Sequence, residues 1–172
     1  MPDVFEAAVK AAKENGISTI VVASTTGKTA LGLSELVKRE GLRMIVVTHD
    51  EGRVPQEKRF SEETRSRIVA DGFTVYTHNP RWILLRKIIA KAFGRFGFPR
   101  WHSRLREVSA KYGAGIKVCH IIMQMLIEGG ILKEGRFAAV AGRKSGSDSV
   151  AIFSVKPQST WPILEKVIVK SQ

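Results

Sequence analysis

Two short runs dominated by β-branched residues, Thr19-Ile20-Val21-Val22-Ala23 and Met44-Ile45-Val46-Val47, are separated by room for one turn and one helix. No other feature restricts the fold as much. Runs that are apolar on both faces belong to strands covered on both sides, as in a parallel sheet. Between them, residues 29–40 read as a helix stopped by Gly41. Strand, helix and strand then form a right-handed parallel crossover.

The pattern continues along the chain. Ser61 caps a third helical stretch with Glu62 and Glu63 in its first turn and Gly72 at its end, and residues 73–76 follow as a strand. Residues 3–15 place Phe5, Ala8, Val9 and Ala12 on one helical stripe. Asn79 and Pro80 open a helix with Trp82, Leu85, Ile88, Ile89 and Phe93 on its apolar side; residues 101–111 form another, and 116–128 are apolar nearly all round, as in a buried helix. Residues 137–141 and 150–155 are strands joined so closely that they must form an antiparallel hairpin, and 164–170 alternate as an edge strand would. The expected class is α/β, with a mixed, mainly parallel sheet of about five strands whose last strand is antiparallel. At 172 residues, 44% apolar and 26% charged, residues 1–172 suit one domain with a full core.

Directly after the first strand comes Ser24-Thr25-Thr26-Gly27-Lys28-Thr29-Ala30. A turn between a strand and a helix exposes unpaired amides at the helix N-terminus, where the macrodipole favours an anion. Ser24, Thr25, Thr26 and Thr29 add hydroxyl donors, Lys28 adds charge, and Gly27 lets the backbone approach closely, so phosphate is the expected guest. On this reading Gly27→Val abolishes phosphate binding and leaves the fold intact. The competing reading is a hydroxyl-rich helix cap. The turn is not a Walker A loop, because that motif needs a glycine where Val22 stands.

The net charge of +12 is uneven. Between Asn79 and Lys117 lie ten Lys or Arg (Arg81, Arg86, Lys87, Lys91, Arg95, Arg100, Arg104, Arg106, Lys111, Lys117) against one acid, Glu107. Such a segment attracts phosphates, nucleic acid included, or simply forms a solvated face. No apolar run is long enough to cross a membrane and the N-terminus lacks a signal-peptide core, so a cytoplasmic chain is expected. The single Cys119 sits in an apolar run, which excludes a disulfide framework within the chain and suits a buried, inert thiol. His49 and His78 each follow a threonine at a strand end and suit acid–base or ligand roles; two histidines alone make a weak metal site.

With strands one to four parallel, the loops after them share one edge, where open α/β sheets bind ligands. Those loops are polar: residues 24–29, 48–53, 77–80 and 142–149, the last rich in glycine and serine.

These residues carry a resemblance. Ile20 to Ala30, then Ile45-Val46-Val47-Thr48, then Gly142 through Gly146 to Ser149 are similar to the C-terminal domain of pyruvate kinase. In that enzyme the domain is regulatory, and its matching turn and late glycine-serine loop hold a sugar-bisphosphate effector. The catalytic barrel has no counterpart here, so pyruvate kinase activity is not implied. Together with Gly113-Ala114-Gly115-Ile116-Lys117-Val118-Cys119, the pattern resembles more closely the free-standing pyruvate kinase C-terminal-domain-like proteins. That resemblance implies a three-layer α/β/α sandwich and a flavin mononucleotide (FMN) site on the loop edge; redox or sensory use is a further expectation that the resemblance itself does not supply. Carried over, Ser24, Thr25, Thr26, Gly27 and Thr29 would cradle the phosphate, to which the residues themselves add the charge of Lys28, while Thr48, His49, Gly115, Lys117, Gly142, Ser145 and Gly146 would line the remainder. The basic stretch 81–106 and Arg143-Lys144 depart from the family pattern.

The leading expectation is therefore a binding protein for a phosphorylated small molecule, FMN first. The alternatives are a nucleic-acid module built on the basic segment, with Trp82 and Trp101 available for stacking, and a phosphate-dependent enzyme. A homo-oligomer is compatible with all three.

Overall fold

The computed structural model describes residues 4–48, 60–78, 101–142 and 146–170, with side chains omitted at 101–103. The expected helix over 80–93 and most of the loop 48–53 lie outside the described residues.

Six strands form one sheet: β1 (Thr19–Ala23), β2 (Arg43–Thr48), β3 (Thr74–Thr77), β4 (Gly135–Ala141), β5 (Ser149–Val155) and β6 (Ile163–Val169), in the order β3-β2-β1-β4-β5-β6. β1 pairs in parallel with β2 and β4, and β2 with β3; β4–β5 and β5–β6 are antiparallel. The mainly parallel mixed sheet is as expected. The edge strand read over 164–170 is the sixth, and because it reverses again after β5 it runs the same way as β4.

Five helices are described: α1 (Val4–Glu14), α2 (Lys28–Arg39), α3 (Glu62–Ala70), α4 (Trp101–Tyr112) and α5 (Ala114–Glu128). Strand residues alternate between two apolar clusters, as the two-residue period requires. Ile20, Val22, Met44, Val46, Ala138, Val140 and Ile152 pack with Ala8, Val9, Leu33, Val37 and Ile68 of α1, α2 and α3. Val21, Val47, Ala139, Ala151 and Phe153 pack with Ile116, Cys119, Ile122, Met123 and Leu126 of α5. This is the three-layer α/β/α sandwich, and it explains why β1, β2, β4 and β5 lack polar alternation: both faces are covered.

Among the described residues, no helix is long and apolar enough to cross a membrane. Cys119 is buried; its Sγ donates to the Ala139 carbonyl oxygen at 3.6 Å, and burial together with the nearby Asp148 pushes its thiol far up. That suits the inert reading.

Candidate functional site

The chain turns leftward from β1 to β3 with its helices on one face, then returns past β1 to β4 with α4 and α5 on the other. The reversal point is the edge between the C-terminal ends of β1 and β4, where such sheets open a crevice. Register aligns the polar residues along it. Thr77 is opposite Thr48, and one step beyond Ala23–Val47, where the Ser24 N–H donates to the Val47 carbonyl at 3.0 Å, Ser24 comes beside Thr48. Two steps beyond Val22–Val140, Ser24 is level with Gly142; in the hairpin, the Asp148 N–H donates to the Ala141 carbonyl at 3.1 Å. The edge thus reads Thr77, Thr48, Ser24, Gly142, Asp148. With strands about 4.8 Å apart, Ser24 and Asp148 are separated by roughly 10 Å.

On the first face, α2 begins at this edge. Its N-cap, Gly27, has φ 91° and offers no side-chain oxygen, and its first turn holds no acidic residue. The Lys28 and Thr29 amides have no intrahelical partner, as for any helix start. Ser24, 5% exposed, accepts from the Ala30 N–H at a long 3.4 Å. Thr25, Thr26 and Lys28 are exposed and Thr29 is half-buried. The neighbouring α3 is built oppositely: Ser61 Oγ accepts from the Thr64 N–H at 3.1 Å, and Glu62 and Glu63 occupy its first turn. One helix start is closed and acidic; the other is open and basic.

Gly27 does not face the crevice in the way expected. A Cβ there would collide with Thr64 Cγ2 and lie 3.5 Å from the Phe60 ring. The missing side chain serves the α2–α3 contact and the left-handed backbone, so the expectation that Gly27→Val spares the fold is corrected. Arg65, one residue on, lies over Phe60 at 5.7 Å and donates from Nη2 to Thr77 Oγ1 at 3.0 Å.

On the opposite face, α5 also starts at this edge, from Gly113. A Cβ on Gly115 would run into Ser149 Oγ and Asp148 Oδ1, so the helix start is pressed against the base of the hairpin. Ser149 Oγ donates to Asp148 Oδ1 at 2.7 Å. Gly142 similarly has no room for a side chain, because the Gly146 carbonyl occupies it; Gly146 itself faces open space with φ 122°. Gly142 therefore closes the hairpin, and Gly146 is the exposed one. Lys117 is half-buried on the first turn of α5.

A sequence model described as "Pyruvate kinase, alpha/beta domain" matches residues 3–153. The chain belongs to this family. The match takes in every polar loop of the edge and ends within β5, leaving β6 beyond it. Among solved structures, the chain is similar to O-ureido-L-serine synthase, at 19% identity and a TM-score of 0.34 over 79% of this chain, both for a lysine-to-alanine mutant with O-ureido-L-serine bound and for the synthase alone. The chain spans about half the length of those proteins, 48% and 49%.

Within this pyruvate kinase alpha/beta domain, Ser24, Thr25, Thr26, Gly27, Lys28, Thr29, Thr48, Gly115, Lys117, Gly142 and Gly146 all fall on or beside one edge. His49 and Ser145 lie outside the described residues. His78 is buried, its N–H donating to the Thr48 carbonyl at 3.2 Å. Among the described residues no group of three or more His, Cys, Asp or Glu could hold a metal. Of the basic segment, residues 81–100 lie outside the described residues, Arg104 is stacked over Trp161 at 5.7 Å and Lys111 over Tyr112 at 5.1 Å. Thr64 and Arg65 carry no signal of the site in the sequence, and Thr77 and Asp148 stand in the polar loops without being singled out as site residues. Only Thr77, at a strand end, and Asp148, in the hairpin, carried any positional signal.

Proposed function

We propose that this domain binds a phosphorylated small molecule at the β1–β4 edge, and that FMN is the best-fitting ligand. One observation carries the reading: the α2 N-cap is a glycine with no side-chain oxygen, its first turn holds no acid and its one side-chain bond is the long 3.4 Å contact from the Ala30 N–H to Ser24 Oγ, while the adjoining α3 start has both a serine cap and two acids. A helix cap would resemble α3; an anion site resembles α2. The α2 amides, Ser24, Thr29 and Lys28 would hold the phosphate. Asp148, Thr48 and the hairpin would meet the polyol and the ring. When bound, the flavin would supply one- or two-electron transfer; the protein's share is to orient it and satisfy its polar atoms. The family's likeness to a regulatory domain equally suits a sensory role.

The test is titration of FMN and riboflavin into wild type and Thr29→Val at fixed salt. The Thr29 side chain is half-buried beside the open amides, and valine removes its hydroxyl at nearly constant size. Loss of a hydrogen bond to a charged phosphate is expected to cost about 1.5–3 kcal/mol, roughly 10- to 150-fold in Kd for FMN. Riboflavin should bind far more weakly and be indifferent to the substitution. Equal affinities for both compounds would mean that residues 24–29 are only a helix start.

A further inference from the structure

We infer that Asp148 sets the class of ligand the edge accepts: a compound with one phosphate whose far end offers hydrogen-bond donors, with a second anionic group excluded. This rests on the phosphate reading above.

Two long helices, α2 of 12 residues and α5 of 15, reach the same edge from opposite faces, each starting from a glycine N-cap without a side-chain bond. Left alone, such a pair would suit a molecule that is anionic at both ends. The two ends are not equivalent. At the α2 end there is no first-turn acid, and Thr48, 4% exposed, stands beside Ser24 in register. At the α5 end the protein supplies its own anion. The Asp148 carboxylate lies against Gly115 so closely that a methyl group there would overlap Oδ1. It is held by the Ser149 hydroxyl on Oδ1 at 2.7 Å and by the backbone bond from Asp148 N–H to Ala141. Oδ2 has no partner among the described residues, and Lys117, on the same first turn, forms no ion pair with it.

A carboxylate already at the positive end of α5 satisfies that dipole and repels a second phosphate, whereas Oδ2 accepts from a hydroxyl or an N–H. Its separation from Ser24, roughly 10 Å from strand spacing, leaves room for a chain of several atoms between the two ends. A flavin monophosphate has donors of this kind on its polyol and ring imide; a sugar bisphosphate presents an anion instead. The edge is therefore matched to monophosphates.

The experiment is displacement of FMN, followed by flavin fluorescence, with fructose 6-phosphate and fructose 1,6-bisphosphate at one ionic strength. Wild type, Asp148→Asn, Asp148→Ser and Ser149→Ala are compared, with thermal melts to verify folding. Asparagine retains the Oδ1 acceptor for Ser149, and the serine variant is a second neutral replacement should the first fold poorly. In wild type the monophosphate should displace FMN at least 10-fold better than the bisphosphate. Both neutral variants should shrink that ratio by about 10-fold, and FMN itself should bind more weakly. Ser149→Ala, which keeps the charge, should leave the ratio in place. A bisphosphate that competes equally in wild type, or a ratio unchanged in the neutral variants while FMN still binds, overturns the role of Asp148 and leaves the phosphate site standing. Absence of FMN binding in every form overturns both.

Discussion

Gly27→Val is expected to lower stability by about 2–5 kcal/mol. The first contribution is conformational: Gly27 has φ 91°, and a β-branched residue in that region costs at least ~1–2 kcal/mol. The second is steric, since the new Cβ collides with Thr64 Cγ2 and meets Phe60 at the α2–α3 contact; overpacking of this kind costs ~1–3 kcal/mol. For a chain of this size, the melting temperature should fall by roughly 4–20 °C. Gly27→Ala should lose less, and Thr64→Ala in the same chain should recover part of the steric contribution but none of the conformational one. Urea unfolding of the single variants and the pair separates the two terms. A Gly27→Val protein that melts with wild type would mean that the turn does not keep its left-handed backbone, and the geometry ascribed to the α2 start would be wrong with it.

Acid should destabilise this domain through His120. The residue is 3% exposed on α5, with Phe153 edge-on at 4.8 Å, Trp161 at 5.4 Å, and no hydrogen-bond partner for Nδ1 among the described residues. Arg104 from α4 lies over the Trp161 ring at 5.7 Å, which places a cation rather than an anion on that side of the imidazole. Burial therefore holds the pKa down, from 6.5 to about 4. Protonation favours the unfolded chain, in which the ring is solvated. The stabilisation is complete above pH 6.5 and is lost as pH falls towards 4, about 3 kcal/mol in all at 1.36 kcal/mol per pH unit. His120→Leu removes the titration and keeps an apolar side chain against Phe153. Unfolding free energies measured from pH 7 to pH 4 should fall more steeply in wild type than in the variant. Parallel curves would show that His120 is hydrated or already charged in the folded state.

What was legible from residue order is what depends on neighbours close in the chain. The β-branched runs of β1 and β2, the Ser61 cap of α3, the apolar surface of α5 and the short β4–β5 link each carry a local period or a local stop, and each formed as read. The described ends of the polar loops followed, because in a parallel crossover the strand ends share an edge. The position of β4 beside β1 could not be read this way: Val22 pairs with Val140 across more than a hundred residues, and no period links them. That one pairing brings Ser24 level with Gly142 and so makes a site of two distant loops. Side-chain direction was equally hidden. Gly27 reads as permission for a ligand to approach, yet only the seating of α3 shows that the vacant direction belongs to Thr64. Arg65 is an ordinary helical cation until β3 lies beneath it and Thr77 accepts its hydrogen bond. Asp148 is one polar residue of a flexible-looking loop until hairpin closure over Gly142 and the close approach of Gly115 press its carboxylate to the start of α5. Local periodicity determines which elements form; the pairing of remote strands, through register and close packing, decides which charges face one another.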